Sequence, residues 1–378
     1  MNDRGKGKRI AKRVLATLTL LLLSPFLYRG MIEGLPYFNA AAGQLAVWSA
    51  GLTLPEGGKE LFNQETAQTD QEDSSSLPVQ TVPDSGSLSG DLSENSEDSS
   101  QSSEETPVRP ENSGDIIRRQ YKGAASSTQF QIDNNAWIKN LTTHTQSEIL
   151  EQIAQGPAFK IDQSDQPQVL IMHTHTTESY ERQTLDWFDK DFNSRTTDPE
   201  YNVCRVGDEI EKQLKAVGIG VIHDETLHDY PTFPGCYDRS AVTVQNYLKQ
   251  YPTIKVVLDV HRDAIEQQDG TRIAPVANIN GKNAAQVMII SGCDDGTMGY
   301  PNYFQNLKFA ALLQSQMEAD YPGLARPLLF DYRKYNQHLT TGSILLEMGG
   351  HANSMEEAIY AGELVGKSLA RALLSIQS

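Results

Sequence analysis

Between Gln168 and Tyr180 the chain reads QVLIMHTHTTESY, which sets His173, His175 and Glu178 within six residues directly after an apolar run. Farther along, VVLDVHRDA brings His261, Arg262 and Asp263 to the end of a second apolar run, and SILLEMGGHANSMEEA carries Glu347 within a third. Imidazole and carboxylate donors are what a catalytic zinc takes, three from the protein with a fourth position left for water. A further carboxylate must then accept the proton of that water and pass it to a leaving nitrogen. Two histidines and one glutamate as ligands, with a second glutamate as base, use this set with one histidine to spare. Either His173 or His175 can fill the first place. An HxH at a strand end is more often a satisfied polar pair than a ligand set, and a lone histidine is weaker still. The coincidence of three strand ends is what favours metal. Glu347 is the most telling residue, because a carboxylate inside an apolar strand needs a partner or a proton. His223 and His228 in VIHDETLHDY follow another strand end and read as structural or cleft-lining.

The elements that must position these groups begin near residue 165. Strand-length runs (QVLIMHTH, GIGVIHD, IKVVLDVH, AQVMIISG, PLLFD, SILLEMG) alternate with segments of helical period (VCRVGDEIEKQLKAVG, SAVTVQNYLKQYP, YFQNLKFAALLQSQMEADYPG, MEEAIYAGELVGKSLARALLSI). Two of the helices run into glycine, at Gly218 and Gly323, and the last begins with NSMEE, where Asn353 or Ser354 can cap. Continuous β-branched strands alternating with amphipathic helices predict an α/β fold, a mostly parallel sheet flanked by helices, over 165–378. Ligands of such sheets bind outside the carboxyl ends of the strands. Residues 116–164, which include QSEILEQIAQG, read as a helical or irregular lead-in with no clear signal.

Upstream the composition changes twice. Residues 1–54 carry a net charge of +5, residues 55–115 carry −13, and the remainder −9 of the total of −17. That balance argues against a nucleic-acid partner, which would need a basic footprint. Six basic residues fall within 1–13, ahead of an apolar run over 14–30. This is the pattern of a signal anchor, with a cytoplasmic tail, a single span and everything beyond it outside the membrane. A small-residue stretch, FNAAAG, lies well past the apolar run in the juxtamembrane segment 31–54, so an uncleaved anchor is expected. Residues 55–115 are rich in Ser, Glu, Asp and Pro and cannot bury enough apolar surface to fold, so they read as a disordered acidic linker. A tether of about sixty such residues lets the next domain range some 40–50 Å from the membrane. Cys204, Cys236 and Cys293 form no CxxC or zinc-finger pattern, though one disulfide is possible outside the membrane.

Taken together, HTHTTESY, NVCRVGDEIEKQL, GIGVIHDETLHDYP, YDRS, VVLDVHRDA and LLEMGGHANSMEEA resemble the stage II sporulation protein P family, membrane-anchored peptidoglycan hydrolases of endospore-forming bacteria. That family is distantly similar to zinc N-acetylmuramoyl-L-alanine amidases. The resemblance implies Zn²⁺ held by His175 (or His173), Glu178 and His261, with Glu347 as catalytic glutamate. In those amidases the zinc glutamate opens the first helix, which would point to Glu200 instead of Glu178. The resemblance further implies cleavage of the muramoyl–peptide amide and of peptide cross-links, and action at the engulfing membrane with stage II sporulation proteins D and M. Arg262 is a candidate anchor for a substrate carboxylate, or a structural ion pair. The competing readings are a non-catalytic wall-binding module and a metal-free hydrolase, the latter lowered by the lack of a GxSxG elbow.

Overall fold

All six apolar runs form strands: β4 (Val169–Met172), β6 (Val221–His223), β7 (Val256–Asp263), β10 (Val287–Gly292), β11 (Leu328–Asp331) and β12 (Gly342–Gly350). They belong to a computed structural model that describes residues 107–378 apart from Asn134 and Gln163. The basic tail, the anchor, the juxtamembrane segment and most of the linker therefore lie outside the described residues. Among the described residues no helix is long and apolar enough to cross a membrane. The helices are α1 (Gln146–Ile153), α2 (Val203–Lys215), α3 (Cys236–Gln250), α4 (Tyr303–Asp320) and α5 (Met355–Ser375). Ser354 caps α5 in a capping box with Glu357.

The segment expected as a lead-in is part of the fold. It supplies β1 (Ser113–Arg119), β2 (Gln129–Asp133) and β3 (Ala136–Asn140), and β1 starts within the stretch read as linker. These strands are short and half-polar, so their period is weak. Three more strands, β5 (Trp187–Asp189), β8 (Arg272–Ile279) and β9 (Lys282–Ala285), join β1 in a four-stranded sheet of order β5-β1-β8-β9. The β8–β9 turn is Asn280–Gly281, both at positive φ, the Asn-Gly signature of a tight hairpin.

The main sheet has eight strands in the order β2-β3-β11-β10-β12-β7-β4-β6. It is mixed, which corrects the expectation of a mostly parallel sheet. β12, β7, β4 and β6 run one way, β3, β11 and β10 the other, and β10 meets β12 antiparallel. The physical reason is the connections. A parallel neighbour needs a crossover that returns the chain to the starting edge. α2 and α3 provide crossovers between β4, β6 and β7, and α4 provides one between β10 and β11. No α-helix lies between β7 and β10, and only a 3-10 turn (Gln337–Leu339) lies between β11 and β12, so strand sense reverses at both places.

One face of this sheet is covered by α1, α2, α4 and α5 over the main core, with Val206, Ile210, Leu313 and Leu364 among its fully or nearly fully buried residues. The other face carries two smaller clusters. Leu170, Met172 and Val257 pack under Val244 of α3, and Met288, Ile290, Leu329 and Leu345 pack with Tyr335. The three cysteines are buried and free, so the optional disulfide is absent.

Candidate metal centre

On the α3 face the apolar rows give way to polar ones towards the carboxyl ends of the strands. Alternation along β7 puts Asp259, His261 and Asp263 on one side of the sheet. In the neighbouring strand Glu347 pairs in register with His261, and Leu345 with Asp259. His261 and Glu347 thus project from within strands, two and three residues short of the strand ends where the sequence suggested them. Directly after Glu347 a bulge shifts the register before Gly350. It passes through Gly349 at φ +76°, where a Cβ would lie 2.6 Å from Ala285 Cβ, so the position requires glycine.

The third contribution comes from the turn after β4. Its threonines explain the repeated HTHTTE pattern. Thr174 donates from N and Oγ1 to Asp259 at 2.8 and 2.7 Å, and Thr176 Oγ1 donates to the His173 carbonyl at 2.9 Å. Thr177 Oγ1 donates to Asp229 at 2.6 Å. Thus pinned, the turn swings His175 over the site face. There it stacks on Phe233 with centroids 4.8 Å apart and meets His261 edge-on at 5.0 Å. Glu178 Oε2 lies 3.6 Å from His261 Nδ1 and accepts the Arg262 backbone N–H at 3.0 Å. Its other oxygen lies 3.6 Å from Arg195, which also donates to Asp229 at 2.8 Å. Asp259 Oδ1 approaches His261 Nε2 to 2.8 Å as an ion-pair contact without the alignment of a hydrogen bond.

His175, Glu178, His261 and Glu347 are all less than a tenth exposed. Their electrostatics follow from that burial and from one another. Burial drives the His175 imidazole down to about 3, keeping it neutral, the form that ligates metal. Glu178 is opposed by burial, but its contact with His261 and the charge of Arg262 hold it ionised, below the usual carboxylate range. For His261 burial also opposes charge, yet Asp259 and Glu178 flank it and favour a cation, either a proton or a metal. Burial and the neighbouring Asp263 carboxylate push Glu347 up to about 8, against the pull of His261. The residues fit a metal ion on one observation above all. His175 Nε2 and Glu347 Oε2 are buried polar atoms with no hydrogen-bond partner, beside His261, whose Nδ1 faces the ionised Glu178 carboxylate.

The remaining sequence candidates sit elsewhere. His173 faces away from this group. Its Nδ1 meets the Val260 carbonyl at 2.8 Å and its Nε2 meets His223 Nε2 at 2.9 Å. Glu200 is exposed on a 3-10 turn (Pro199–Tyr201). Arg262, a candidate substrate anchor, is buried and spends its guanidinium on the carbonyls of Ser179 and Ser194, so it is a structural clamp. His228 is likewise structural, between the His173 carbonyl and Thr243. Asp259, Arg195 and Phe233 are the members that sequence reading passed over. Asp259 carried a usable signal, since D-x-H-x-D on a strand faces one side.

A family model described as stage II sporulation protein P matches residues 59–370. Stage II sporulation protein P of Bacillus subtilis (strain 168) is 32% identical over 215 residues, covering 54% of this chain and 50% of that protein. The chain thus spans about half the length of the curated relative it matches. Among solved structures, the CwlD amidase from Clostridioides difficile, in complex with the GerS lipoprotein, gives a TM-score of 0.36 at 10% identity over 55% of this chain and 98% of that one. The N-acetylmuramoyl-L-alanine amidase AmiC2 of Nostoc punctiforme gives 0.32 at 12% identity over 55% and 96%. Likenesses of that strength carry no functional argument. The family match, over most of the chain, does: this chain belongs to the stage II sporulation protein P family.

Proposed function

We propose that the chain is a zinc-dependent peptidoglycan hydrolase of endospore formation that cleaves the amide between muramic acid and the stem peptide. What carries this reading is the pair of buried atoms without a hydrogen-bond partner, His175 Nε2 and Glu347 Oε2, beside His261 Nδ1 and the Glu178 carboxylate that it faces. His175, Glu178 and His261 would hold the ion. Bound there, zinc supplies a Lewis acid for the scissile carbonyl and lowers the pKa of its water towards about 7. Asp259 and the Arg262 backbone N–H orient His261 and Glu178 from behind, the outer support that ligands need. Glu347 takes the proton of the attacking water and returns it to the leaving nitrogen. Its raised affinity for a proton suits both halves of that transfer. The same groups suit the cross-link amide, so endopeptidase activity is proposed beside amidase activity.

The basic and apolar N-terminus supports membrane anchoring with the hydrolase outside, and the family supports engulfment as the setting. Stage II sporulation proteins D and M are proposed partners on the same ground.

The test uses the full chain in mild detergent, incubated with intact sacculi and assayed by mass spectrometry. Glu347→Gln keeps the shape and should lower turnover by about 10²–10⁴-fold, the usual worth of an acid–base group, while zinc content stays unchanged. Stem peptides released equally by the variant, or equally in the presence of a chelator, would remove this mechanism. Folded, zinc-loaded protein that merely adheres to sacculi, also with the partners added, would put the wall-binding module in its place.

A further inference from the structure

The histidine left out of the centre leads to a second site. His173 Nδ1 faces the Val260 carbonyl, which can only accept, so this nitrogen is assigned the proton. Its Nε2 is then a bare lone pair, and the contact to His223 must be donated by His223 Nε2–H. The other ring nitrogen, His223 Nδ1, points at a carboxylate, Asp208 Oδ1, only 3.2 Å away. An imidazole nitrogen and a carboxylate oxygen at that distance share a cation, either a proton on Nδ1 or a metal ion.

Asp208, His223 and Glu225 each offer one donor atom, all within 4.8 Å of one another. Around a divalent ion with bonds of 2.0–2.2 Å, tetrahedral ligand atoms stand roughly 3.3–3.6 Å apart. A charge-assisted N–H···O bond would be shorter, about 2.7–2.9 Å. The observed spacing falls nearer the metal value. Arg205 does not supply the missing charge, since it bonds Glu209 at 2.9 Å and stays 3.9 Å from the far oxygen of Asp208. A ligating imidazole also needs its other N–H held, and His223 Nε2–H on His173 meets that need.

The pair of rings is built into the fold. Gly207 sits within α2, where glycine costs about 1 kcal/mol relative to alanine, and any Cβ there would lie 2.5 Å from His223 Nε2 and 3.1 Å from His173 Nε2.

We propose that Asp208, His223 and Glu225 form a second divalent-metal site, at the outer edge of β6 and distinct from the His175–Glu178–His261 centre. It takes a zinc-like first-row cation, with water completing the shell. Through His173 and the Val260 carbonyl it adjoins the residue before His261.

The experiment counts zinc per full-length chain in detergent after dialysis against a Zn²⁺ buffer, with a melting curve in chelator as the folding control. Wild type should hold two equivalents. Asp208→Asn/Glu225→Gln, which changes only solvent-facing carboxylates, should hold one and melt like wild type in chelator. His175→Ala should also hold one, through loss of the other ion. The same zinc count in Asp208→Asn/Glu225→Gln as in wild type overturns the second site, whatever His175→Ala does. One equivalent in wild type that survives His175→Ala but not Asp208→Asn/Glu225→Gln supports the second site and sinks the proposed catalytic centre.

Discussion

Replacing Gly207 by alanine sets two effects of opposite sign against each other. Gly207 is buried in the second turn of α2. Helix propensity alone makes alanine the better residue by about 1 kcal/mol. The new methyl would stand 2.5 Å from His223 Nε2 and 2.7 Å from its Cε1, with His173 Nε2 at 3.1 Å. Neither ring can retreat freely, because His173 is tied to Val260 and His223 to Asp208. Forcing a methylene-sized group into such a site costs about 1–3 kcal/mol. Parting the rings strands a buried ring nitrogen, a further ~1–3 kcal/mol. The clash therefore wins, and Gly207→Ala should destabilise by about 1–5 kcal/mol. Urea denaturation of the full chain in chelator and detergent would read this as a lower midpoint at unchanged slope. Removing the obstruction supplies the second arm: in Gly207→Ala/His223→Ala the penalty should fall short of the sum of the singles by about 1 kcal/mol or more. A stabilising or neutral Gly207→Ala, or strictly additive singles, would refute the packing argument.

Other consequences can be checked on the same protein. Arg326 and Asp263 form a buried ion pair at 2.8 Å with both side chains under a tenth exposed. Arg326→Met should cost about 3–5 kcal/mol by leaving Asp263 unpaired, and Arg326→Met/Asp263→Asn should recover much of it. A loss below about 1 kcal/mol for the single variant would mean that water already reaches the pair. Burial pushes the Glu181 carboxyl up to about 7 against the pull of Arg272, with Asp189 adding to the rise. The folded state then binds this proton more tightly than the unfolded state, so the contribution of Glu181 to stability falls as pH rises from about 4.5 through about 7. Glu181→Gln should flatten that slope and gain on the order of 2 kcal/mol at pH 8, and parallel stability–pH curves would contradict it.

Much of this architecture could be read from the chain itself. Apolar runs of strand length marked six strands of the main sheet, because a strand buried on both faces must be continuously apolar. Helical period and capping residues marked the helices, down to the Ser354–Glu357 box. The residue types for a metal centre were equally plain, in HTHTTE, DVHRD and SILLE. Two further signals were present but unused. Asn280–Gly281 announced the β8–β9 hairpin, and the lack of an α-helical crossover after β7 and β11 announced the reversals of strand sense.

Other features belong to the tertiary structure alone. His173 and His175 share a strand-like spacing of two, which by itself puts both on one face. β4 stops at Met172, however, and a turn held by Asp259 and Asp229 carries His175 to one side of the sheet while His173 stays with α2. Both anchors are distant in sequence, so no local pattern could tell the histidines apart. The pairing of Glu347 with His261 depends on the register of two strands, and the neutrality or charge of each group depends on burial among residues from other elements. Local sequence determined which donors the chain carries and the period on which they lie. Long-range pinning and desolvation, properties of the assembled fold, decided which of them face one another.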